Sequence, residues 1–267
     1  MSASTTTRPF APHRIRSLGR AELLLLRRNR MALFSTVGMP LLFVGVLAGA
    51  GLDQDGRSAG VTLVTSMLGF VLLAAVYYNL VTAYVARREE LVLRRLRIGE
   101  LTDAEILAGV ASPSVAVALT QCALFTVGGV VLFDLPAPVN ALLLLLAVLG
   151  GVAVFVLLAA VSSAFTRTTE LAQITTLPIL TGCLLGSGLM LPLDQLPGPV
   201  ATALRALPLT PVLDLFRLGW TGTVGPAAPA DFLGTFGPAA LPAGILLAWV
   251  VLGTVAVRRW FRWDPRR

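Results

Sequence analysis

Apolar residues run along this chain in six long, nearly unbroken stretches, at 31–51, 61–85, 110–133, 139–165, 171–191 and 237–257. Each stretch reaches the roughly 20 residues that an α-helix, rising about 1.5 Å per residue, needs to cross a hydrocarbon layer about 30 Å thick. The stretches are continuous rather than alternating, so they predict helices and not barrel strands. A helix also satisfies its backbone N–H and C=O groups internally, as a lipid surrounding demands. Helix-ending chemistry falls in the breaks: Asp53-Gln54-Asp55-Gly56, residues 87–109, Asp134-Leu135-Pro136, residues 167–170 and a long Pro-rich section over 192–232. The expected fold is therefore an all-α integral membrane domain over 31–257 with six transmembrane helices.

The polar segments predict smaller elements. Residues 14–30 mix Ile15, Leu18, Leu23, Leu25 and Leu26 with arginines, the pattern of an N-terminal amphipathic interfacial helix closing a tail over 1–30. A plain topogenic anchor is the alternative. In the second break, Glu90 and Arg94 are spaced as a helical i,i+4 pair and Gly99 supplies a stop, which predicts a short charged helix over 87–99. A solvated turn is the alternative there. Thr102 followed by Glu105 is a capping box that starts the next helix. In the Pro-rich section, proline boundaries hint at two short amphipathic helices over 193–207 and 211–220, with Asp194, Arg205, Asp214 and Arg217 as sparse polar points. The competing picture is a surface loop anchored at the interface by Phe216 and Trp220. Gly45 with Gly49, and Gly182 with Gly186, have the small-xxx-small spacing of close helix contacts, within one chain or between two. Pro40 and Pro178 are candidate kinks in the same two spans.

Composition agrees with this picture: 56% of residues are hydrophobic, 13% are charged, and the mean hydropathy is +0.82, a balance unsuited to a water-soluble surface. The net charge of +7 would suit nucleic acid binding, but the arginine positions point elsewhere. Seven arginines precede the first stretch, five lie between 87 and 97, and five lie in the tail 258–267, whereas Arg57, Arg205 and Arg217 are alone in the alternate loops. Arginine is enriched on the cytoplasmic side of membranes, so both termini and the 87–99 segment are expected inside, in a bacterial inner membrane. Arg27-Arg28 and Ala48-Gly49-Ala50 resemble a twin-arginine signal with its cleavage site. The apolar run is longer than the roughly 7–15 residues of a signal core, so an uncleaved helix is expected.

The chain contains no lysine and one histidine, His13 in the tail. It therefore lacks the P-loop lysine that cradles ATP phosphates, and His-based zinc sites, Ser-His catalysis and histidine proton relays within the spans are excluded. No catalytic residue, metal ligand or cofactor site is expected. Cys122 and Cys183 lie within stretches and read as small packing residues. Tyr77, Tyr78, Asn79, Gln121 and Thr181 are the polar candidates for a substrate path, or else for interhelical hydrogen bonds.

Arg88-Glu89-Glu90 with Leu93-Arg94-Arg95-Leu96-Arg97, Leu177-Pro178, the run from Met190-Leu191-Pro192 through Asp194 to Pro197, and Leu207-Pro208-Leu209-Thr210-Pro211 together resemble the ABC type-2 exporter permeases, including the drug-resistance and daunorubicin-type members. The likeness spans nearly the whole chain, though Ile98-Gly99-Glu100-Leu101 stands where the family more often has a small residue and proline. It implies that Glu89, Glu90, Leu93, Arg94, Arg95, Leu96, Arg97 and Gly99 form a coupling helix against an ATPase subunit. It implies an extracellular gate at Pro192, Asp194, Pro197, Pro208 and Pro211, and a dimer interface in which Gly45, Gly49, Gly182 and Gly186 take part. Its partners would be a second or homologous permease and nucleotide-binding subunits that hold ATP and Mg. The cargo would be a hydrophobic or amphipathic drug, antibiotic or lipid-like compound. An ATP-independent secondary transporter and a toxin-sequestering immunity-type membrane protein are the other functional classes compatible with the residues.

Overall fold

A computed structural model describes residues 56–93, 96, 102–132, 134–189, 197–223, 229–261 and 263 of the 267. Every regular element among them is helical. Helix α1 is continuous through three segments: α-helix over Gly56–Val71, π-helix over Leu72–Tyr78 and α-helix again over Asn79–Glu89. The others are α2 (Asp103–Leu132), α3 (Ala141–Phe165), α4 (Ala172–Gly186), α5 (Gly198–Arg205), α6 (Thr210–Thr221) and α7 (Phe236–Trp260).

Among the described residues, four helices are long and apolar enough to cross a membrane, at Gly60–Glu89, Asp103–Val131, Ala141–Phe165 and Phe236–Trp260. They fall on four of the predicted stretches, and the chain is a multi-pass membrane protein. The first predicted span, with Pro40, Gly45 and Gly49, and the interfacial helix before it lie outside the described residues. The stretch at 171–191 differs from expectation. Its helix α4 is only 15 residues long, about 22 Å at helical rise. It stops at Gly186 because Ser187 leaves helical geometry and Gly188 takes a left-handed φ of 80°, a conformation glycine adopts without steric cost.

Helix α3 forms the middle of the bundle, packed against α1, α4, α6 and α7. It is apolar up to Ser162 and Ser163 near its end and carries no charged residue, as suits a helix that meets protein or lipid on every side. Helix α6 lies between α3, α7 and the first part of α1, and buries Val212, Leu213, Leu215, Phe216, Leu218 and Trp220. Phe216 and Trp220 thus sit in the core at 1% and 0% exposure, not at an interfacial surface, because the apolar face of α6 docks inward. Of the first short helix expected in this section, only Gly198–Arg205 is helical among the described residues. On α7, Leu241, Leu247, Val251, Leu252 and Val255 point outward, the lipid-facing surface of a spanning helix.

Candidate functional site

The arginine-rich end of the bundle is built where α1 hands over to α2. Arg87 and Arg88 occupy the last turn of α1, where cations complement the partial negative charge of the helix end. Of the residues 87–99 expected as a separate helix, Arg87, Arg88 and Glu89 therefore belong to α1. The chain breaks after them because Glu90 caps α1 and Leu91 adopts a φ of 58°, a left-handed geometry costly for a residue with a branched side chain. Glu89 and Glu90 are exposed, and Arg87 pairs with Glu90 across 3.7 Å. Leu93 is fully buried in the core, and Leu96 packs against it half-buried. Arg94, Arg95, Arg97 and Gly99 lie outside the described residues. On the far side of the segment the capping box forms: Thr102 N donates to Glu105 Oε2 at 2.8 Å, and Glu105 N to Thr102 Oγ1 at 3.3 Å. Two orphan N–H groups at the start of α2 are thereby satisfied.

Arg88 differs from its neighbours. Its side chain is 1% exposed and reaches across to the last turn of α3, where one terminal nitrogen donates to Ser163 O at 2.8 Å and the other to Thr166 O. Carbonyls at a helix C-terminus have no intrahelical partner, and a guanidinium fork there meets both the hydrogen-bond need and the dipole. Tyr84, one turn earlier, donates to Leu107 O at 3.1 Å and so joins α1 to α2.

Higher in the bundle, the π-helical segment carries Tyr77, whose hydroxyl lies 3.0 Å from Ser162 Oγ on α3 and whose ring meets Phe155 edge-on at 6.2 Å. Tyr78 is half-buried at the end of the same segment, and Asn79 is exposed. Gln121 is 3% exposed on α2, with no hydrogen-bond partner for Oε1. Thr181 is exposed on α4. The structure thus brings together Tyr77 and Ser162, but it does not gather the five polar candidates into one cluster.

At the opposite end, Asn140 ties three segments. As the N-cap of α3 its Oδ1 accepts from Leu142 N at 3.1 Å and Leu143 N at 3.3 Å, and its Nδ2 donates to Thr235 Oγ1, at the start of α7, at 2.9 Å. Its own N–H donates to Gly219 O on α6 at 2.8 Å, and Trp220 Nε1 donates to Pro136 O at 3.1 Å. Pro208 is buried just ahead of α6, Pro211 opens its first turn, and Pro197 is the exposed N-cap residue of α5. Pro192 and Asp194 lie outside the described residues. In the glycine pair on α4, a methyl group at Gly186 would meet Leu204 at 2.8 Å and Leu207 at 2.5 Å, so this glycine makes room for residues of the same chain. At Gly182 the same test meets nothing within 4 Å.

A family model described as ABC-2 type transporter matches residues 13–219, which include α1 to α5 and most of α6. The chain belongs to the ABC-2 type transporter family. No curated protein matches it. As a member of that family it is the permease component of an ABC transporter, a transport subunit of the membrane. For an ABC-2 permease, Asn140 and Ser162 are structural polar positions that the sequence does not single out, whereas Trp220, expected as an interfacial anchor, and Arg88, expected among the cytoplasmic arginines and in the Arg88-Glu89-Glu90 piece, turn out to be buried. The sequence signal of Arg88 is its place: an arginine in the last apolar turn of α1, where a charge needs a buried acceptor.

Proposed function

We propose that this chain is the membrane half of an exporter that moves a hydrophobic or amphipathic compound outward, of the drug-resistance or daunorubicin type, driven by a separate ATPase subunit. Its arginine-rich end faces the cytoplasm of a bacterial cell, and its topology is six spans with both termini inside. ATP and Mg are held by the partner, since the chain has no lysine to cradle phosphate. Two copies, or this chain and a homologous permease, enclose the path. Cargo is drawn from the cytoplasm or the inner leaflet.

The observation that carries the reading is the junction between α1 and α2. A left-handed break at Leu91 and a capping box at Thr102 bracket an arginine-rich segment between two long helices. That segment is anchored by buried Leu93. Such a short charged piece, held at both ends, is suited to receive a push from a soluble subunit. Gln121, with its buried Oε1 unpartnered, supports a path through the bundle: an unmet acceptor there costs about 1–3 kcal/mol unless a visiting donor satisfies it.

The test is affinity purification of the full chain, in mild detergent, together with the product of any adjacent Walker-motif reading frame. The complex is expected to hydrolyse ATP, and R94A/R95A is expected to break the association. A membrane-impermeant maleimide should reach Arg94→Cys only after the cytoplasmic face is opened. Labelling from the outside of intact cells would overturn the assignment, as would a transport activity indifferent to ATP.

A further inference from the structure

Two polar side chains of α1, both on one face, bond to α3. Tyr77 and Arg88 are separated by about three helical turns, and each engages the end of α3 nearest the arginine-rich loop. Tyr77 meets Ser162 Oγ at 3.0 Å, and Arg88 grips Ser163 O at 2.8 Å together with Thr166 O. Thr166 closes the set, because its Oγ1 donates to Ser162 O at 2.8 Å. Polar groups therefore run without interruption from the break at Leu91, whose N–H donates to Arg88 O at 3.1 Å, into the π-helical segment of α1. Apolar helix faces slide past one another at little cost, whereas a guanidinium on two carbonyls sets one distance and one angle.

We propose that Arg88 is a positioning residue that fastens α1 and α3 into one rigid lever, so that displacement of the arginine-rich segment moves both helices together and arrives at the π-helical segment. The inference rests on the permease reading, in which that segment receives the stroke of an ATPase subunit. Without the fork, α1 turns or slides alone, and ATP hydrolysis proceeds with the motion lost between the two helices.

The experiment uses the complete complex with its ATPase subunit in lipid nanodiscs. Spin labels are placed at Arg87→Cys and Arg167→Cys, both accessible and each next to one side of the fork, with Cys122 and Cys183 replaced by alanine. Distances are measured without nucleotide and with Mg-ATP plus vanadate. In the native background the label distance is expected to change by less than about 2 Å, the scale of ordinary helix shifts at an interface. In Arg88→Met it is expected to broaden and to change with nucleotide, while Arg88→Lys, a point charge reaching one carbonyl, recovers part of the native behaviour.

A nucleotide-dependent change in the native background overturns the lever, whether or not Arg88→Met assembles. So does an Arg88→Met distribution identical to the native one. A merely stabilising role would lower the yield and the melting temperature of Arg88→Met and leave the distance insensitive to nucleotide. Failure of the permease reading is seen separately, as a purified chain with no associated ATP hydrolysis.

Discussion

Replacing Asn140 by alanine removes the cap of α3 and the cross-link to α7 in one step, and the size of the effect follows from the contacts. The cap contributes two bonds, to Leu142 N at 3.1 Å and Leu143 N at 3.3 Å, and loss of such a cap costs about 1 kcal/mol and at most about 2. The bond from Nδ2 to Thr235 Oγ1 at 2.9 Å adds about 0.6 kcal/mol, the average of interhelical hydrogen bonds within membrane proteins. Asn140→Ala is therefore expected to destabilise the protein by about 2 kcal/mol. Serine caps helices as well as asparagine but is too short to reach Thr235, so Asn140→Ser should lose only about 0.6 kcal/mol. Unfolding in mixed micelles with increasing denaturing detergent, followed by the fluorescence of buried Trp220, measures both. A double-mutant cycle with Thr235→Val then isolates the cross-link, with an expected coupling of about 0.6 kcal/mol. Equal losses for serine and alanine, or a coupling near zero, would refute this partition of the site.

Gly219→Ala is expected to lose about 1–3 kcal/mol by overpacking, since the new methyl would lie 2.8 Å from Asn140 O and 3.0 Å from Leu143 Cβ. The same micelle titration reads it, and a loss below about 0.5 kcal/mol would mean that α6 moves aside freely. Tyr77→Phe removes the bond to Ser162 while keeping the ring against Phe155. The expected cost is about 0.6 kcal/mol, checked by a cycle with Ser162→Ala that should show coupling of the same size. Arg87→Ala, by contrast, should change stability by less than about 0.5 kcal/mol as far as its pairing with Glu90 is concerned, because that pair is 3.7 Å apart and Glu90 is exposed to solvent. A large effect there would show that the last turn of α1 is held through Arg87 rather than Arg88.

Hydropathy alone located α1, α2, α3 and α7, because membrane-spanning helices must be long, apolar and internally hydrogen-bonded, three demands that all leave marks on sequence. The capping box at Thr102 and Glu105 was readable for a similar reason: its partners are three residues apart, and both geometry and chemistry are local. The early end of α4 was harder to see. Gly186, Ser187 and Gly188 sit inside an apolar run, and a window average smooths away the left-handed turn that Gly188 provides. The depth of α6 was beyond reach of pattern reading, since an amphipathic helix with Phe216 and Trp220 on one face suits a lipid interface and a protein core equally well. Which of the two it meets depends on α3, α7 and α1 arriving from distant parts of the chain. Arg88 was hidden in plain view for the same reason, its partners lying 75 and 78 residues away.

In a bundle solvated by lipid tails, apolar contact between helices gains little over apolar contact with lipid, so it does not by itself choose one register. Directional polar contacts must choose it. Among the described residues several bonds that join separate helices lie near helix ends: Arg88 on α3, Tyr84 on Leu107 and Asn140 on Thr235, while Trp249 Nε1, from mid-α7, meets Ala206 O at the end of α5 at 2.9 Å. Tyr77 with Ser162 stands further inside, on the π-helical segment. Helix ends are where backbone groups lack partners, so a side chain that satisfies them does two tasks with one bond. The middle of α3, with neither charge nor cap to hold it, can then exchange contacts with α6 and α7 while its two ends stay fixed, one by Asn140 and the other by Arg88. A transporter needs that division: ends that keep the helices in register and a greasy interior whose contacts exchange at low cost.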